Sequence, residues 1–286
     1  MAKAIEYYQA AIQIAPDYAP AYSGLAAAYS KRGTYLIVPP KESYALARPN
    51  AEKALTLDPQ SADAHSELAL IAWLYDWNWD LADREFRRAV ELNPESSSIH
   101  ERYANFLGEM NRRDEAIAEA QLAVQIDPLS ALVRSDLGYV YFTAGRYDEA
   151  RDAIKEAKER LMGRSLGNFT PIAILISEQA GDIEQLAELV SPDSELRRAV
   201  LKDGVKGYWH KQLDHFEVDA EDWPSQYSYR KAELLARLGE NNRAIKELEK
   251  AYETHHHCMT GIKVDAAFDG LRNDPRFKDL LIRMHL

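Results

Sequence analysis

Four consecutive side chains able to bind metal, His255-His256-His257-Cys258, form the most chemically loaded run in this sequence. Imidazole nitrogen and thiolate sulfur suit zinc, which gathers three or four such ligands on a tetrahedron. Consecutive residues on a helix or strand point in different directions, so at most two of the four are expected to meet one ion. No HExxH or CxxC pattern supplies the others, so no metal and no cofactor is expected. Tyr75, Trp77 and Trp79 crowd a second short segment, as aromatics do where they stack on sugars. Their place at a turn between paired helices instead predicts a wedge that holds the hairpin angle. The chain has no G-x-S-x-G elbow, no glycine-rich phosphate loop and no kinase signature. Carboxylates such as Asp148, Glu149 and Glu156 fall on exposed helical faces, where solvation is their ordinary role. No catalytic residue is expected; a metal-dependent hydrolase using His255 to Cys258 is the enzymatic alternative.

The elements that would position these groups follow a repeated frame, A-x3-F-x2-A-x4-P. It occurs at Ala82, Phe86, Ala89 and Pro94, and again at Ala4, Tyr8, Ala11, Pro16 and at Ala47, Ala51, Ala54, Pro59. Ala116, Ala120, Ala123, Pro128 and Ala150, Ile154, Ala157 continue it, and from Ala82 to Ala116 to Ala150 each step is 34 residues. Between these lie partial matches to W-x2-L-G-x2-Y: Tyr22, Leu25, Ala26, Tyr29 and Leu137, Gly138, Tyr141, with looser versions at His65, Leu68, Ala69 and His100, Tyr103, Ala104, Leu107. The period and residue types resemble the tetratricopeptide repeat, a helical hairpin that cannot bury its apolar face alone and therefore stacks. The resemblance implies an all-α fold, a right-handed superhelical solenoid of hairpins with a C-terminal helical cap, and a binding role.

Turn chemistry agrees with that reading. Asp58-Pro59, Asn93-Pro94 and Asp127-Pro128 end helices, because the residue before proline avoids the helical region. Gly145 and Gly239 fall at the tight turns inside hairpins. Between Tyr29 and Ala47 there are 18 positions where the regular repeat has nine, so 34–43 is expected to be an inserted, rather apolar loop. Three regions result: 1–162, a regular array with a truncated first repeat; 163–224, degenerate helical repeats; and 225–286, a last hairpin and cap. In the middle region helical pairs are expected near 170–180 with 183–190 and near 193–203 with 208–216, before an acidic loop ending in Trp223-Pro224. Ala4, Tyr8 and Ala11 occupy the second helix of a repeat that lacks its first, so the chain is expected to be a piece of a longer protein.

Two segments resemble one bacterial group of these repeats more specifically. They are Leu74-Tyr75-Asp76-Trp77-Asn78-Trp79-Asp80 leading into Ala82 to Pro94, and the ending from Val264 to Leu281, which contains Phe268-Asp269-Gly270-Leu271-Arg272 and Asn273-Asp274-Pro275. In that group such arrays form the C-terminal part of signalling proteins whose N-terminal parts are winged-helix, Ser/Thr kinase or nucleotide-cyclase domains. The group usually has proline where this chain has Ala266.

Composition narrows the partners. A net charge of −11 argues against general nucleic-acid binding and against an anionic membrane surface, and leaves room for a basic or neutral protein partner. Cys258 is the single cysteine, so no intrachain disulfide forms. No run of about 18 apolar residues marks a membrane span. The expected compartment is cytoplasmic, or extracytoplasmic if a parent protein is anchored in a membrane.

The inner face of such an array is lined by the first helix of each repeat. Its fifth, ninth and twelfth positions give Ser66, Leu70, Trp73, then Glu101, Asn105, Gly108, then Ser135, Tyr139, Phe142. The expected peptide-binding face is Ser66, Leu70, Trp73, Glu101, Asn105, Ser135, Tyr139 and Phe142, with the large side chains burying an apolar segment and the polar ones fixing its register. Some tetratricopeptide repeats grip a C-terminal carboxylate with Lys and Asn at these places. Here Ser23, Ala27 and Glu101 stand there, so that grip is not expected. The function expected is non-catalytic protein or peptide binding, with self-assembly into a homo-oligomer as the alternative.

Overall fold

Alanines at fixed spacing set how closely successive helices approach. Ala47, Ala51, Ala54, Ala82, Ala89, Ala116, Ala123, Ala150 and Ala157 are all fully buried. The computed structural model describes residues 1–161, 170–190, 194–218 and 227–286. The array begins with α1 (Ala2–Ile14), followed by the pairs α2 (Ala19–Thr34) with α3 (Pro40–Leu57) and α4 (Ala62–Ile71) with α5 (Trp79–Leu92). It continues through α6 (Ser97–Glu109) with α7 (Arg113–Ile126) and α8 (Ala131–Thr143) with α9 (Tyr147–Arg160). Within each pair the helices pack as a hairpin, and α2, α4, α6 and α8 touch one another in succession. This is the right-handed superhelical stacking that the period implies.

Gly138 shows why the small residue is required. A Cβ there would lie 2.9 Å from Ile154 Cδ1 and 3.3 Å from the Ala150 carbonyl oxygen, so α8 and α9 approach through a bare backbone. Gly145 and Gly239 turn their hairpins with φ of 77° and 81°, the left-handed region open to glycine. Asn111 makes the equivalent turn between α6 and α7 at φ 60°, which asparagine tolerates better than most residues.

The looser repeats at His65 and His100 carry a second regularity. His65 places Nδ1 2.6 Å from Glu85 and Nε2 3.1 Å from the Pro59 carbonyl oxygen. His100 does the same with Glu119 at 2.5 Å and Pro94 at 3.0 Å. Each ring thus ties the second helix of its hairpin to the preceding proline turn.

The insertion is shorter as a loop than 34–43 suggests. Helix α2 runs to Thr34 and α3 starts at Pro40, so residues 40–43 are helical and only 35–39 connect. Proline at the first helical position gives up no intrahelical bond. Tyr44 is buried and stacks on Tyr75 with ring centroids 5.0 Å apart.

Beyond the regular array come α10 (Thr170–Ala180), α11 (Ile183–Leu189) and α12 (Glu195–Val218). Helix α12 is broken at Gly204, at φ 65° and ψ −150°, which yields the two pieces expected near 193–203 and 208–216. The acidic loop ending in Trp223-Pro224 lies mainly outside the described residues, as do the junctions at 162–163 and 224–225. The last hairpin pairs α13 (Ser228–Arg237) with α14 (Asn241–Glu253); short 3-10 turns at His257–Gly261 and Ala266–Leu271 lead to α15 (Pro275–Arg283). Ala266 opens its turn directly after the capping residue Asp265, a position where proline and alanine are both accommodated. No described helix is long and apolar enough to cross a membrane.

Candidate functional site

The inner face divides into a polar stretch and a closed seam. The seam forms because the C-terminal segment folds back onto the array. Helix α4 ends in a wider π-turn, Ala72–Asp76, and Trp77 follows it with φ 54°. That turn throws the Trp77 ring onto His255, 4.5 Å away and nearly parallel, and onto Tyr252 at 5.0 Å. Trp77 is buried within the core of the last hairpin rather than within its own. The aromatic wedge expected at 75–79 therefore acts between two distant parts of the chain, not inside one hairpin.

Of the eight residues expected to form the peptide-binding face, Trp73 and Tyr139 meet in this seam. Trp73 donates its indole N–H to Glu109 Oε2 at 2.8 Å, and Tyr139 donates its hydroxyl to Glu109 Oε1 at 3.2 Å. Gly261, from the C-terminal 3-10 turn, packs beside the same carboxyl group. Burial pushes the Glu109 pKa up to about 7, against hydrogen bonding from Trp73 and Tyr139 that lowers it. Glu109 sits one residue beyond the twelfth inner position, so the pattern passed over it. Its only sequence signal was a charge next to Gly108, where the stripe calls for small residues.

The polar members, Ser66, Glu101, Asn105 and Ser135, lie in the polar stretch, where Ser66 and Ser135 are buried. Arg102 donates to Ser66 Oγ at 3.1 Å and to Glu67 Oε1 at 2.6 Å. Glu101 on α6 lies close enough to Asp136 on α8 for its charge to act on it, and burial raises both pKa values. Lys31 on α2 is close enough to act on the Glu101 charge. The atoms Asn105 Oδ1, Asp136 Oδ2, Ser135 Oγ and Glu67 Oε2 are buried there without a hydrogen-bond partner. Leu70 is half-buried against the main core. Phe142 packs toward Ala150 and Ile154 and meets the Tyr147 ring at 5.7 Å.

The histidine run behaves differently from a regular helix or strand. His255 takes φ 49°, which turns its ring away to Tyr75 and Trp77, with Nδ1 2.9 Å from the Tyr75 carbonyl oxygen. His256 is extended and the 3-10 turn starts at His257. This change of backbone state brings ligand atoms of His256, His257 and Cys258 within 4.8 Å of one another, one more than the two expected. His257 Nε2 and Cys258 Sγ are 3.3 Å apart. Burial pushes the His257 pKa down to about 3 and the Cys258 thiol well up. Behind them Glu233 is raised by burial to about 8, and Tyr229 donates to Asp265 at 3.0 Å.

Two family models described as tetratricopeptide repeat match residues 105–164 and 225–254. Among curated proteins, the chain is 33% identical over 82 residues to small glutamine-rich tetratricopeptide repeat-containing protein 2 of Mycosarcoma maydis, covering 29% of this chain and 23% of that one. It is 31% identical over 107 residues to type IV pilus assembly protein PilF of Pseudomonas aeruginosa, covering 37% and 42%. The chain thus spans less than half the length of either relative. Among solved structures, PilW, a type IV pilus biogenesis factor, matches 88% of this chain and 97% of its own at 19% identity and TM-score 0.51. The anaphase-promoting-complex hetero-tetramer Cut9-Hcn1 matches 98% and 52% at 12% identity and TM-score 0.58. At these identities the structural likeness concerns the fold alone.

Proposed function

We propose that this chain, whose tetratricopeptide repeats form a fold typical of protein–protein interaction scaffolds, docks a basic segment of a partner protein on its inner face without catalysing a reaction. The observation that carries this reading is the closely placed Glu101–Asp136 carboxyl pair, with unpartnered acceptor atoms on Asn105 and Asp136. Buried acceptors without donors are costly, and a Lys or Arg side chain supplies both donors and the missing charge. Burial raises both carboxyl pKa values, so their attraction for that cation strengthens as pH rises. A net charge of −11 favours the same partners at long range.

The test is calorimetric titration with lysine-rich and glutamate-rich peptides of equal length. Binding of the basic peptide alone, with proton release and loss on Asp136→Lys, supports the reading; equal response to both peptides rejects it. The likeness to a pilus assembly protein and the resemblance of 74–94 and 264–281 to bacterial signalling arrays support a scaffold within a larger assembly or signalling protein.

A second reading, self-association, is favoured by α1, which leaves Tyr7 72% and Ile14 86% exposed. Sedimentation equilibrium separates the two: a concentration-independent monomer removes self-association.

A further inference from the structure

We propose that His256, His257 and Cys258 form a binding site for a zinc-class divalent cation at the seam between the array and the C-terminal turn. The three ligand atoms fall within 4.8 Å of one another, and His257 Nε2 to Cys258 Sγ is already 3.3 Å. Zinc bonds of about 2.0–2.3 Å to nitrogen and sulfur put the edges of a tetrahedron at roughly 3.3–3.8 Å. One edge therefore exists, and the others close with a shift of about an ångström, within the reach of side-chain rotation.

The group is held in place before any ion arrives. The Cys258 amide donates to His256 Nδ1 at 3.2 Å, and Thr260 donates to the His257 carbonyl oxygen at 2.8 Å. The His256 ring lies between Tyr229 and His257, with centroids 6.0 and 4.9 Å away. His257 and Cys258 keep partial exposure, which gives the ion a way in. The carboxyl groups of Glu233, Glu109 and Asp265 and the Arg230 guanidinium all lie close enough to act on Cys258.

Two imidazoles and one thiolate select zinc-like ions over magnesium or calcium, which prefer oxygen. On binding, the Cys258 S–H bond breaks, its proton leaves to solvent and a metal–sulfur bond forms; nothing is oxidised or reduced. A water completes the tetrahedron. Gly261 in the same turn packs beside the Glu109 carboxyl group, so the ion braces the seam.

The experiment uses the untagged, chelator-stripped chain titrated with Co2+ and then Zn2+. One equivalent of Co2+ should give a sulfur-to-cobalt charge-transfer band and the intense visible bands of a four-coordinate site, and Zn2+ should abolish both. Cys258→Ser should remove the charge-transfer band, and His257→Ala should weaken binding more than about 100-fold, beyond the loss expected for an outer-shell partner. His255→Ala should leave stoichiometry unchanged, because that ring faces Tyr75 and Trp77. A measurement on the unaltered chain guards against misfolded variants: Cys258 is the only cysteine, and Zn2+ should slow its reaction with a thiol reagent at least tenfold. No charge-transfer band, a band that survives Cys258→Ser, equal weakening by His255→Ala, or unprotected Cys258 would each overturn the proposal.

Discussion

Trp79 donates its indole N–H to the carbonyl oxygen of Met284 at 2.8 Å, closing a span of 205 residues. The bond ties the first turn of α5 to the end of α15, and Trp77, two residues earlier, is buried among the side chains of the same last hairpin. The array and its cap are one packed body at this point. The fold-back covers part of the inner face that a simple open solenoid would offer to a partner.

Trp79→Phe keeps most of the buried ring and removes the donor. It should cost about 1 kcal/mol of stability, the ordinary net value of one hydrogen bond. Amide exchange should accelerate over 275–283 and stay unchanged in α2 and α3. Uniform acceleration along the chain would mean that the bond does not secure the cap.

Glu109 makes stability depend on pH with a defined sign. Its folded pKa, about 7, lies above the usual carboxyl value, so the folded state holds the proton more tightly than the unfolded one. Its contribution is fully present below about pH 4.5 and is lost as pH rises through about 7. The shift corresponds to roughly 3 kcal/mol. Glu109→Gln, which keeps an acceptor for Trp73, should therefore be more stable than the parent at pH 8.5 and close to it at pH 5. Denaturant unfolding at the two pH values checks this.

His100 titrates with the usual sign for a histidine that gains a partner. Hydrogen bonding to Glu119 raises its pKa, and the Pro94 carbonyl adds to the effect. Both ring nitrogens face acceptors, so the cation is the fitting form. Its stabilisation is present below about pH 6.5 and disappears as pH climbs through the raised folded value. His100→Gln should cost about 2 kcal/mol at pH 5.5, a charge-assisted bond's worth, and clearly less at pH 9. A gap independent of pH would show that the ring acts only by packing.

Gly138→Val should destabilise the α8/α9 hairpin by about 1–3 kcal/mol through overpacking. The added atoms meet Ile154, which can turn, and the Ala150 carbonyl, which cannot move without shifting α9. Thermal unfolding measures the loss; a neutral result would mean that the hairpin tolerates a wider spacing.

Much of the local structure was legible because it depends on near neighbours. The 34-residue step, the proline stops and Gly145 and Gly239 predicted the hairpins and their turns, and the helix pairs near 170–190 and 193–216 fell where periodicity put them. Tertiary structure decided the rest. Glu109, Trp73, Tyr139 and Gly261 come from four separated segments, and their meeting depends on how small rotations between hairpins add up until the C-terminal turn reaches the inner face. The same accumulation brings Glu101 near Asp136. In the histidine run the deciding element was a backbone state: a left-handed His255 followed by an extended residue and a 3-10 turn gathers three donor groups that a regular helix or strand would have splayed apart.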